Sequence, residues 1–434
     1  MTKISIFWFR RDLRINDNSG FYNLLNDKNN ILPLFIFDKD ILDKLSDNDK
    51  RVNFIYLELK KMKFEFEKLE SSFLILYGNV YEIYEKIIKE YDIDSVYTNH
   101  DYEPYALDRD NKIKELLEKN NIIFKTFKDQ VIFEKKEILN QQDNIYTVYT
   151  PYKNKWKEKV LEQGIINYPS ETYLSKLYKI ESLNIPSLKD MGFNEIETIF
   201  PNKEIDLDII KDYDKYRNIP SLDKTSRVSL YLRFGTISIR ECVNIAYKYN
   251  EIWLNELIWR EFFMMILFNF PHVVNNSFRK EYDNIQWLNN NDDFKKWCEG
   301  KTGYPIVDAG MRELNETGYM HNRVRLITAS FLTKDLLIDW RWGERYFSEK
   351  LLDYELSSNN GNWQWCAGTG CDAAPYFRVF NPYMQTEKFD PDYKYIKRWV
   401  PEYNTSKYPK PMIDHKFARN RALETYKQAL NRNK

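Results

Sequence analysis

Several protein classes are excluded by what this 434-residue chain lacks. Its four cysteines are too few and too scattered for a disulfide framework, and Cys366 and Cys371 have no second pair with which to form a metal site. No apolar run approaches the ~20 residues needed to cross a membrane. Met1 leads directly into a strand-like segment, without a signal segment. We therefore expect a cytoplasmic protein that binds neither membrane nor metal, and that is a monomer.

The chain also has no net charge, because 65 basic residues balance 65 acidic ones. No global field draws such a chain to nucleic acid, so any nucleic-acid site must be a local basic patch. The glycine-rich fingerprint of dinucleotide-binding domains is absent after the first strand, where the loop reads Arg10-Arg-Asp-Leu-Arg14. Aromatic residues are abundant at 16%, with 11 tryptophans, which indicates either large cores or stacking and redox chemistry.

Short apolar segments alternate with amphipathic ones over the first 130 residues. Strands are predicted at residues 4–9, 31–37, 73–77, 95–99 and 122–127, and helices near 50–69, 80–91 and 106–120. This alternation predicts a doubly wound, parallel-sheet, Rossmann-like α/β domain. We expect this domain at 1–130, a linker with one helix near 151–163 at 131–205, and an all-helical domain at 206–434.

The stretch 353–382 is rich in aromatic residues yet does not follow the 3.6-residue period of a core helix. It interleaves Trp363 and Trp365 with glycines, amides and the single arginine Arg378. Such a mixture is expected in a pocket that holds a flat ring system with polar edges.

A second segment, 253–263, has strong helix-forming residues and places Glu256, Trp259 and Arg260 on one face. An indole can stack on a nucleobase, a carboxyl group can accept from a pyrimidine N3–H, and an arginine can hold a phosphate. The alternative is an amphipathic helix with an ordinary salt bridge.

Two further segments carry candidate binding residues. One places Asn322 and Arg325 on one helical face and Arg323 on another, so that one arginine can serve an internal carboxylate and the other an external phosphate. In the other, Thr225 or Ser226 is expected to cap a helix whose free amides would bind a diphosphate. Two surface arginines and plain helix capping are the alternatives.

Taken together, these segments resemble the photolyase/cryptochrome family. The motifs Thr-Ser-Arg-x-Ser, Trp-Leu-Asn-Glu-Leu-Ile-Trp-Arg-Glu-Phe, Lys-Thr-Gly-Tyr-Pro-Ile-Val-Asp-Ala-Gly-Met-Arg, His-Asn-Arg-x-Arg and Asn-Asn-Gly-x-Trp-Gln-Trp occur here in that order. The chain looks like a class I cyclobutane pyrimidine dimer photolyase from Phe7 to about Glu402. The resemblance implies light-driven splitting of dimers in ultraviolet-damaged DNA by electron transfer from photoexcited reduced FAD. A cryptochrome-like photoreceptor without repair activity is the alternative.

The resemblance also implies three groups of site residues. The cofactor-binding group is Tyr213, Thr225, Ser226, Arg227, Val228, Ser229, Trp253, Asn322, Arg325, Asp353, Glu355 and Asn359, with an ion pair between Arg325 and Asp353. The DNA-binding group is Glu256, Trp259, Arg260, Arg323, Trp365 and Arg378. The catalytic group is Glu256, Asn322 and Asn359, together with a tryptophan chain that reduces the flavin, Trp363, Trp340 and Trp287.

Some positions depart from the family pattern. Glu355 stands where relatives usually have Asp, and Leu326 stands where dimer photolyases commonly have Met. The (6-4) photolyases typically have His at the positions that Asn322 and Leu326 occupy here, so the absence of His at these two positions argues against that substrate. Asn359 cannot deliver a proton as the Asp of plant cryptochromes can, which favours repair over light sensing.

A second, antenna chromophore is expected to be a flavin or a deazaflavin rather than folate, and a protein without an antenna is the alternative. Folate-binding relatives carry adjacent Asn and Glu after the fourth strand, where this chain has Tyr105 and Ala106. Arg10 and Asp101 are candidates near such a site.

Overall fold

The computed structural model describes residues 2–431, which divide into two compact units. The first unit comprises the residues up to 137, 156–205 and 227–248. The second comprises 138–155, 206–226 and the residues from 249 onward. The units therefore interleave along the chain and do not follow one another as the sequence led us to expect.

The first unit contains a five-stranded parallel sheet in the order β3-β2-β1-β4-β5. The strands are β1 (Ile4–Phe9), β2 (Ile31–Asp38), β3 (Leu74–Gly78), β4 (Ile93–Asn99) and β5 (Ile123–Phe127). Every residue of β1 and β2 is buried, as expected for parallel strands covered on both faces. The predicted α/β class and the five strands are thus confirmed.

The helices of the first 163 residues are α1 (Ser19–Asp27), α2 (Lys39–Leu42), α3 (Lys50–Glu67), α4 (Val80–Glu90), α5 (Pro104–Lys119) and α6 (Tyr149–Gln163). The predicted helices near 50–69, 80–91, 106–120 and 151–163 correspond to α3, α4, α5 and α6. The sequence interpretation missed α1, which is short. Its start is fixed locally, because the side chain of Asn18 accepts a hydrogen bond from the backbone N–H of Phe21.

The later helices are α7 (Leu207–Lys211), α8 (Tyr213–Tyr216), α9 (Ser229–Arg233), α10 (Ile239–Tyr249), α11 (Glu251–Asn269), α12 (Asn291–Cys298), α13 (Pro305–Thr317), α14 (Asn322–Ser330), α15 (Trp340–Lys350), α16 (Leu356–Ala367), α17 (Pro382–Phe389), α18 (Lys394–Trp399) and α19 (His415–Asn431). The core of the second unit includes residues of α13 to α16. Gly310 lets α13 approach α14, since a Cβ atom there would overlap Val324. Within residues 2–431, no helix is long and apolar enough to span a membrane.

The predicted domain boundary at residue 205 differs from the structure because α10 belongs to the first unit. Arg240 of α10 pairs with Asp129 and with Asp17, each at 2.8 Å, and Arg14 pairs with Asp129 at 2.7 Å. Burial alone would raise the pKa of Asp129, but the two guanidinium groups lower it to about 2. Helical periodicity cannot reveal ion pairs between residues so distant in sequence, so α10 was assigned to the helical domain. The expected linker 131–205 likewise contributes most of its residues to the first unit.

Candidate functional site

A cavity in the second unit, with about 520 Å³ of open space including its mouth, is lined by α14, α16 and the segment that precedes α16. Its polar lining includes five of the predicted cofactor-binding residues, Asn322, Arg325, Asp353, Glu355 and Asn359. Because α14 begins at Asn322, residues 322, 325 and 329 fall on one helical face, and all three line the cavity. The sequence-based prediction of that shared face is confirmed.

The predicted ion pair between Arg325 and Asp353 is present. Arg325 Nη2 lies 3.0 Å from Asp353 Oδ2, and its Nε donates to the backbone carbonyl of Met320 at 2.8 Å. Burial lowers the pKa of Arg325, but the Asp353 carboxylate raises it, and the net shift is upward. The guanidinium group is therefore charged and held in one orientation at the cavity wall.

Asn359 is oriented by Glu344 of α15, a residue that the sequence interpretation missed. Asn359 Nδ2 donates to Glu344 Oε1 at 2.9 Å and to the Glu344 backbone carbonyl at 3.1 Å. The carbonyl oxygen of the amide therefore points away from Glu344. Burial raises the pKa of Glu344, although the bond from Asn359 opposes that shift. No local sequence signal could have identified Glu344, because the contact depends on how α15 packs against α16.

Glu355 lies at the same cavity wall and is only 5% exposed. It accepts hydrogen bonds from Arg260 Nη2 at 3.2 Å and from Ser358 Oγ at 3.0 Å. Arg260 was expected to hold an external phosphate. Its guanidinium group instead pairs with Glu355 of the same unit, because the turn of α11 that carries Arg260 faces the segment before α16.

The predicted helix cap at Thr225 or Ser226 is wrong. Helix α9 begins at Ser229, with Val228 at the N-cap position and no capping side-chain hydrogen bond. Arg227 has a backbone φ of 48°, in the left-handed region, so a helix cannot run through it. With five residues, α9 is also too short to present an anion site by its amides alone.

The two hydroxyl groups before Arg227 instead contact aromatic side chains of the second unit. Thr225 Oγ1 lies 3.2 Å from the Tyr319 hydroxyl, and Ser226 Oγ accepts a hydrogen bond from Trp253 Nε1 at 3.2 Å. Trp253 is buried in α11. These bonds place Ser226 beside Trp253, another predicted cofactor-binding residue.

Glu256 of α11 belongs to a polar cluster with Arg217 and Tyr213. Its carboxylate accepts from Arg217 Nη1 at 2.5 Å, and the Arg217 guanidinium lies 5.4 Å from the centre of the Tyr213 ring. Burial and the nearby charge of Glu256 raise the pKa of Tyr213, so this phenol is protonated at neutral pH. Arg217 was not predicted, since it follows the short helix α8 and matches no motif that we used.

Arg217, Arg323 and Arg378 form a local basic patch, which we call the arginine cluster. Arg323 Nη2 donates to Asn218 Oδ1 at 2.6 Å, and its guanidinium lies 4.5 Å from the centre of the Phe389 ring. Burial lowers the pKa of Arg323, as do the positive charges of Arg217 and Arg378. Their mutual repulsion favours binding of an anion.

Trp259 and Trp365 contribute the aromatic surfaces. The ring of Tyr149 stacks on Trp259 with centroids 3.6 Å apart and planes 8° from parallel. Tyr149 Oη donates to the backbone carbonyl of Asn255 at 2.8 Å, which fixes the stack. Trp365 has the Arg378 guanidinium 5.8 Å from its ring centre. Tyr149 was missed by the sequence interpretation, although it begins an aromatic pair, Tyr-Thr-Pro-Tyr, at the start of α6.

The three tryptophans of the predicted chain differ in exposure. Trp363 lines the cavity and is 2% exposed, Trp340 is 1% exposed, and Trp287 is partly buried. A Cβ atom at Gly343 would overlap the Trp363 ring, so this glycine lets Trp363 pack against α15. These exposures do not order the three rings from cavity to surface, and the predicted tryptophan chain stays a prediction.

The antenna candidates lie in the first unit, after β1 and β4. Arg10 Nη1 pairs with Asp110 at 2.5 Å, and its guanidinium lies 4.9 Å from the centre of the Trp8 ring. Asp101 accepts from Arg11 Nη1 at 3.1 Å. Although burial raises the pKa of Asp101, Arg11 and Arg10 hold it far below its usual range. The carboxyl ends of parallel strands are a common location for ligands.

Two family models match the chain. DNA photolyase matches residues 5–170, and the FAD binding domain of DNA photolyase matches residues 253–407. The chain is 35% identical to the deoxyribodipyrimidine photo-lyase of Vibrio cholerae, over 98% of this chain and 99% of that protein. It is 34% identical to the enzyme of the same name from Escherichia coli, over 98% of both chains.

The chain is also similar in fold to solved structures of photolyases and cryptochromes. An archaeal photolyase from Sulfolobus tokodaii, determined with two FAD molecules, superposes with a TM-score of 0.84 at 34% identity and covers 98% of this chain and 100% of that chain. A cryptochrome from Synechocystis superposes with a TM-score of 0.86 at 25% identity, over 98% of this chain and 99% of that chain.

Proposed function

The chain belongs to the DNA photolyase family, and we propose, residue by residue, how it carries out light-driven repair of pyrimidine dimers with FAD. The observation that carries this assignment is the cavity of the second unit, where charged, amide and aromatic side chains converge. The arginine cluster is connected to it through Arg323, which follows the cavity residue Asn322 in α14. Such a combination suits a flavin on one side and a DNA backbone on the other.

The cavity residues fit an isoalloxazine ring. Leu326, Ala329 and Cys366 would supply apolar walls for the ring, and Asn322 and Asn359 would supply amides for its polar groups. The charged Arg325–Asp353 pair can donate to ring carbonyl oxygens and accept from ring N–H groups, which is the donor set that a flavin needs. When bound, reduced FAD supplies an electron to the dimer under light.

The polar tail of the cofactor needs hydroxyl and backbone donors. Tyr213, Thr225, Ser226 and Trp253 are the residues of the second unit that we assign to it, on the basis of the family motif. The Ser226–Trp253 hydrogen bond supports this role by fixing one hydroxyl. Arg227, Val228 and Ser229 follow directly in the chain and keep the same predicted role.

Glu256, Trp259 and Trp365 are the residues that we assign to the flipped-out dimer. Photolyases are among the enzymes known to take their target base out of the stack. The parallel stack with Tyr149 restricts the indole of Trp259 to one orientation, so this ring can offer a rigid apolar wall at small entropic cost. The Glu256 carboxylate can accept from a pyrimidine N3–H while it stays paired with Arg217, because a carboxylate has two oxygens.

The arginine cluster is the part that we assign to the DNA backbone. Arg323 and Arg378 were predicted for this role, and Arg217 joins them on the basis of its contact with Glu256. Arg260 is better assigned to orienting Glu355, with which it pairs at 3.2 Å. The chain therefore binds DNA through a local patch and not through its net charge, which is zero.

Dimer repair in light tests this function. The reduced, FAD-loaded protein should remove thymine dimers from DNA under blue light and leave them intact in the dark. Glu256→Ala and Trp259→Ala should lose repair and dimer affinity while FAD stays bound. Lys119→Ala, a change at an exposed lysine of the first unit, at the end of α5, serves as the control. Unchanged dimer affinity in both site variants would show that the lesion binds elsewhere.

A cryptochrome-like photoreceptor is the second candidate function, since the Synechocystis cryptochrome shares the fold closely. The two functions give opposite results in the same assay. Light-dependent loss of dimers supports repair, whereas a photoactive flavin with intact dimers supports light sensing. In the second case, Leu326→Met and Glu355→Asp would be the substitutions with which to restore repair.

Two remaining assignments concern a second chromophore and the state of the protein. We propose a flavin or deazaflavin antenna near Arg10 and Asp101. Liquid chromatography of the chromophores extracted from the protein tests this proposal, and finding folate would refute it.

We also propose that the protein is a monomer in the cytoplasm. Cys298, Cys366 and Cys371 are free thiols, as expected in a reducing compartment. Light scattering of the purified protein distinguishes a monomer from a dimer.

A further inference from the structure

Trp297 of α12 is in edge-to-face contact with Trp363, the cavity tryptophan. The ring centroids are 6.2 Å apart and the planes are inclined by 70°. Trp297 is fully buried, and Phe347 packs against both indoles, at 6.1 Å from Trp297 and 5.0 Å from Trp363. Trp297 does not belong to the predicted tryptophan chain, yet it directly contacts the first member of that chain.

Tyr346 of α15 continues this contact toward the surface. Its ring centroid lies 5.8 Å from that of Trp297. The Tyr346 hydroxyl donates to Asn315 Oδ1 at 2.6 Å, and the backbone carbonyl of Cys298 is a second acceptor 3.2 Å from the same hydroxyl. Tyr346 is half-buried, so this series of rings begins at the cavity and ends at solvent.

The hydrogen bonds of the two rings suit opposite tasks. Trp297 Nε1 donates to the buried backbone carbonyl of Thr328 at 3.1 Å. A carbonyl is too weak a base to remove the indole proton, so an oxidised Trp297 keeps its proton and can be reduced again by its neighbour. Burial raises the pKa of Tyr346, so its phenol is protonated at rest and must release a proton when oxidised. Because Tyr346 is half-buried and not enclosed, we assign that proton to solvent.

The geometry points to a second electron route to Trp363, from Tyr346 at the surface through Trp297. This inference rests on the proposed role of Trp363 as the residue that gives an electron to the light-excited oxidised flavin. Trp363 then takes one electron from Trp297, and Trp297 takes one from Tyr346. The Tyr346 phenol releases its proton to water and becomes a neutral radical. An external thiol restores the phenol by giving one electron and one proton, and is itself oxidised.

The test compares single and double variants of the FAD-loaded, oxidised protein under blue light with a thiol. Trp340→Phe interrupts the predicted chain and should leave slower but measurable flavin photoreduction, together with a light-induced tyrosyl radical in electron paramagnetic resonance. Adding Tyr346→Phe should abolish the tyrosyl signal. Adding Trp297→Phe should reduce photoreduction to the level of Trp363→Phe. Trp399→Phe, at a half-buried tryptophan outside both routes, is the matched control.

Two results would overturn the route. In one, Trp340→Phe alone abolishes photoreduction and gives no tyrosyl signal. In the other, the signal persists after Tyr346→Phe is added. Since Tyr346 is half-buried, Tyr346→Phe also tests the route if Trp297→Phe fails to fold. Chemically reduced variants should repair dimers normally in every case, so failure of the route and failure of the repair function are distinguishable.

Discussion

Lys334 is a buried lysine whose ionisation should control the stability of the second unit near neutral pH. It is fully buried in the turn after α14, where its Nζ donates to the Ala367 carbonyl at 2.8 Å and lies 3.7 Å from the centre of the Tyr426 ring. Burial lowers the pKa of Lys334 from 10.5 to about 7. The nearby Cys366 thiol gives little compensation, because burial raises its own pKa to about 12 and keeps it neutral.

The sign of the effect follows from proton binding in the two states. Between pH 7 and 10.5 the unfolded chain holds a proton on Lys334 that the folded protein does not hold. Stability should therefore rise with pH across this window, by up to about 1.4 kcal/mol per pH unit for this one group. Below pH 7 the ammonium is present in both states, and the burial penalty is complete. Between pH 7.5 and 9.5 the expected gain is about 2–3 kcal/mol.

Lys334→Met removes this titration while it keeps the length of the side chain. The assay is urea unfolding followed by tryptophan fluorescence at several pH values, for wild type, Lys334→Met and the exposed control Lys350→Met. The difference between wild type and Lys334→Met should shrink as the pH rises from 7.5 to 9.5, whereas the control should parallel wild type. Parallel curves for all three proteins would mean that Lys334 stays charged, and the reasoning from burial would be wrong.

Three further results are expected from the site. Arg325→Leu should destabilise the protein by about 2–3 kcal/mol in urea unfolding, because the Asp353 carboxylate would remain, 8% exposed, without its partner. Tyr149→Ala should weaken binding of dimer-containing DNA by about 1 kcal/mol through loss of the stack on Trp259, in a titration by fluorescence anisotropy. Tyr149→Phe keeps the ring and loses only the hydrogen bond to Asn255, so it should weaken binding less. Arg323→Ala should reduce the slope of log K for DNA binding against log salt concentration by about 1, because one phosphate contact is lost.

The strands and long helices could be predicted because local patterns determine them. The runs of β1 and β2 are apolar except for Ser5 and Asp38, and α11 has strong helix formers along its whole length. The face shared by Asn322 and Arg325 follows from helix geometry alone. Motif order then identified the Arg325–Asp353 pair, which spacing by itself could not have done.

The parts that could not be predicted depend on packing between distant segments. Glu344, Arg217 and Tyr149 acquire their roles only through neighbours 15, 39 and 110 residues away, counted from Glu344 to Asn359, Arg217 to Glu256 and Tyr149 to Trp259. The cap predicted at Thr225 or Ser226 failed for a different reason. A hydroxyl residue before a helical pattern indicates a cap only if the next residues are helical, and the left-handed backbone of Arg227 prevents that.

The Glu256–Arg217 pair bears on the choice between an ordinary salt bridge and the proposed lesion site on the α11 face. The two side chains are 31% and 19% exposed, so their attraction is screened and contributes only about 0–1 kcal/mol to stability. A structural pair would need no aromatic neighbours, yet Tyr213 lies against Arg217, and Trp259 follows Glu256 by three residues on the same helix. These neighbours support the proposal that Glu256 meets a base edge and Arg217 a phosphate, beside an indole on which a base can stack. A pair that contributes little to folding can share its carboxylate with a ligand at small cost, which is the property that the proposed lesion pocket would need.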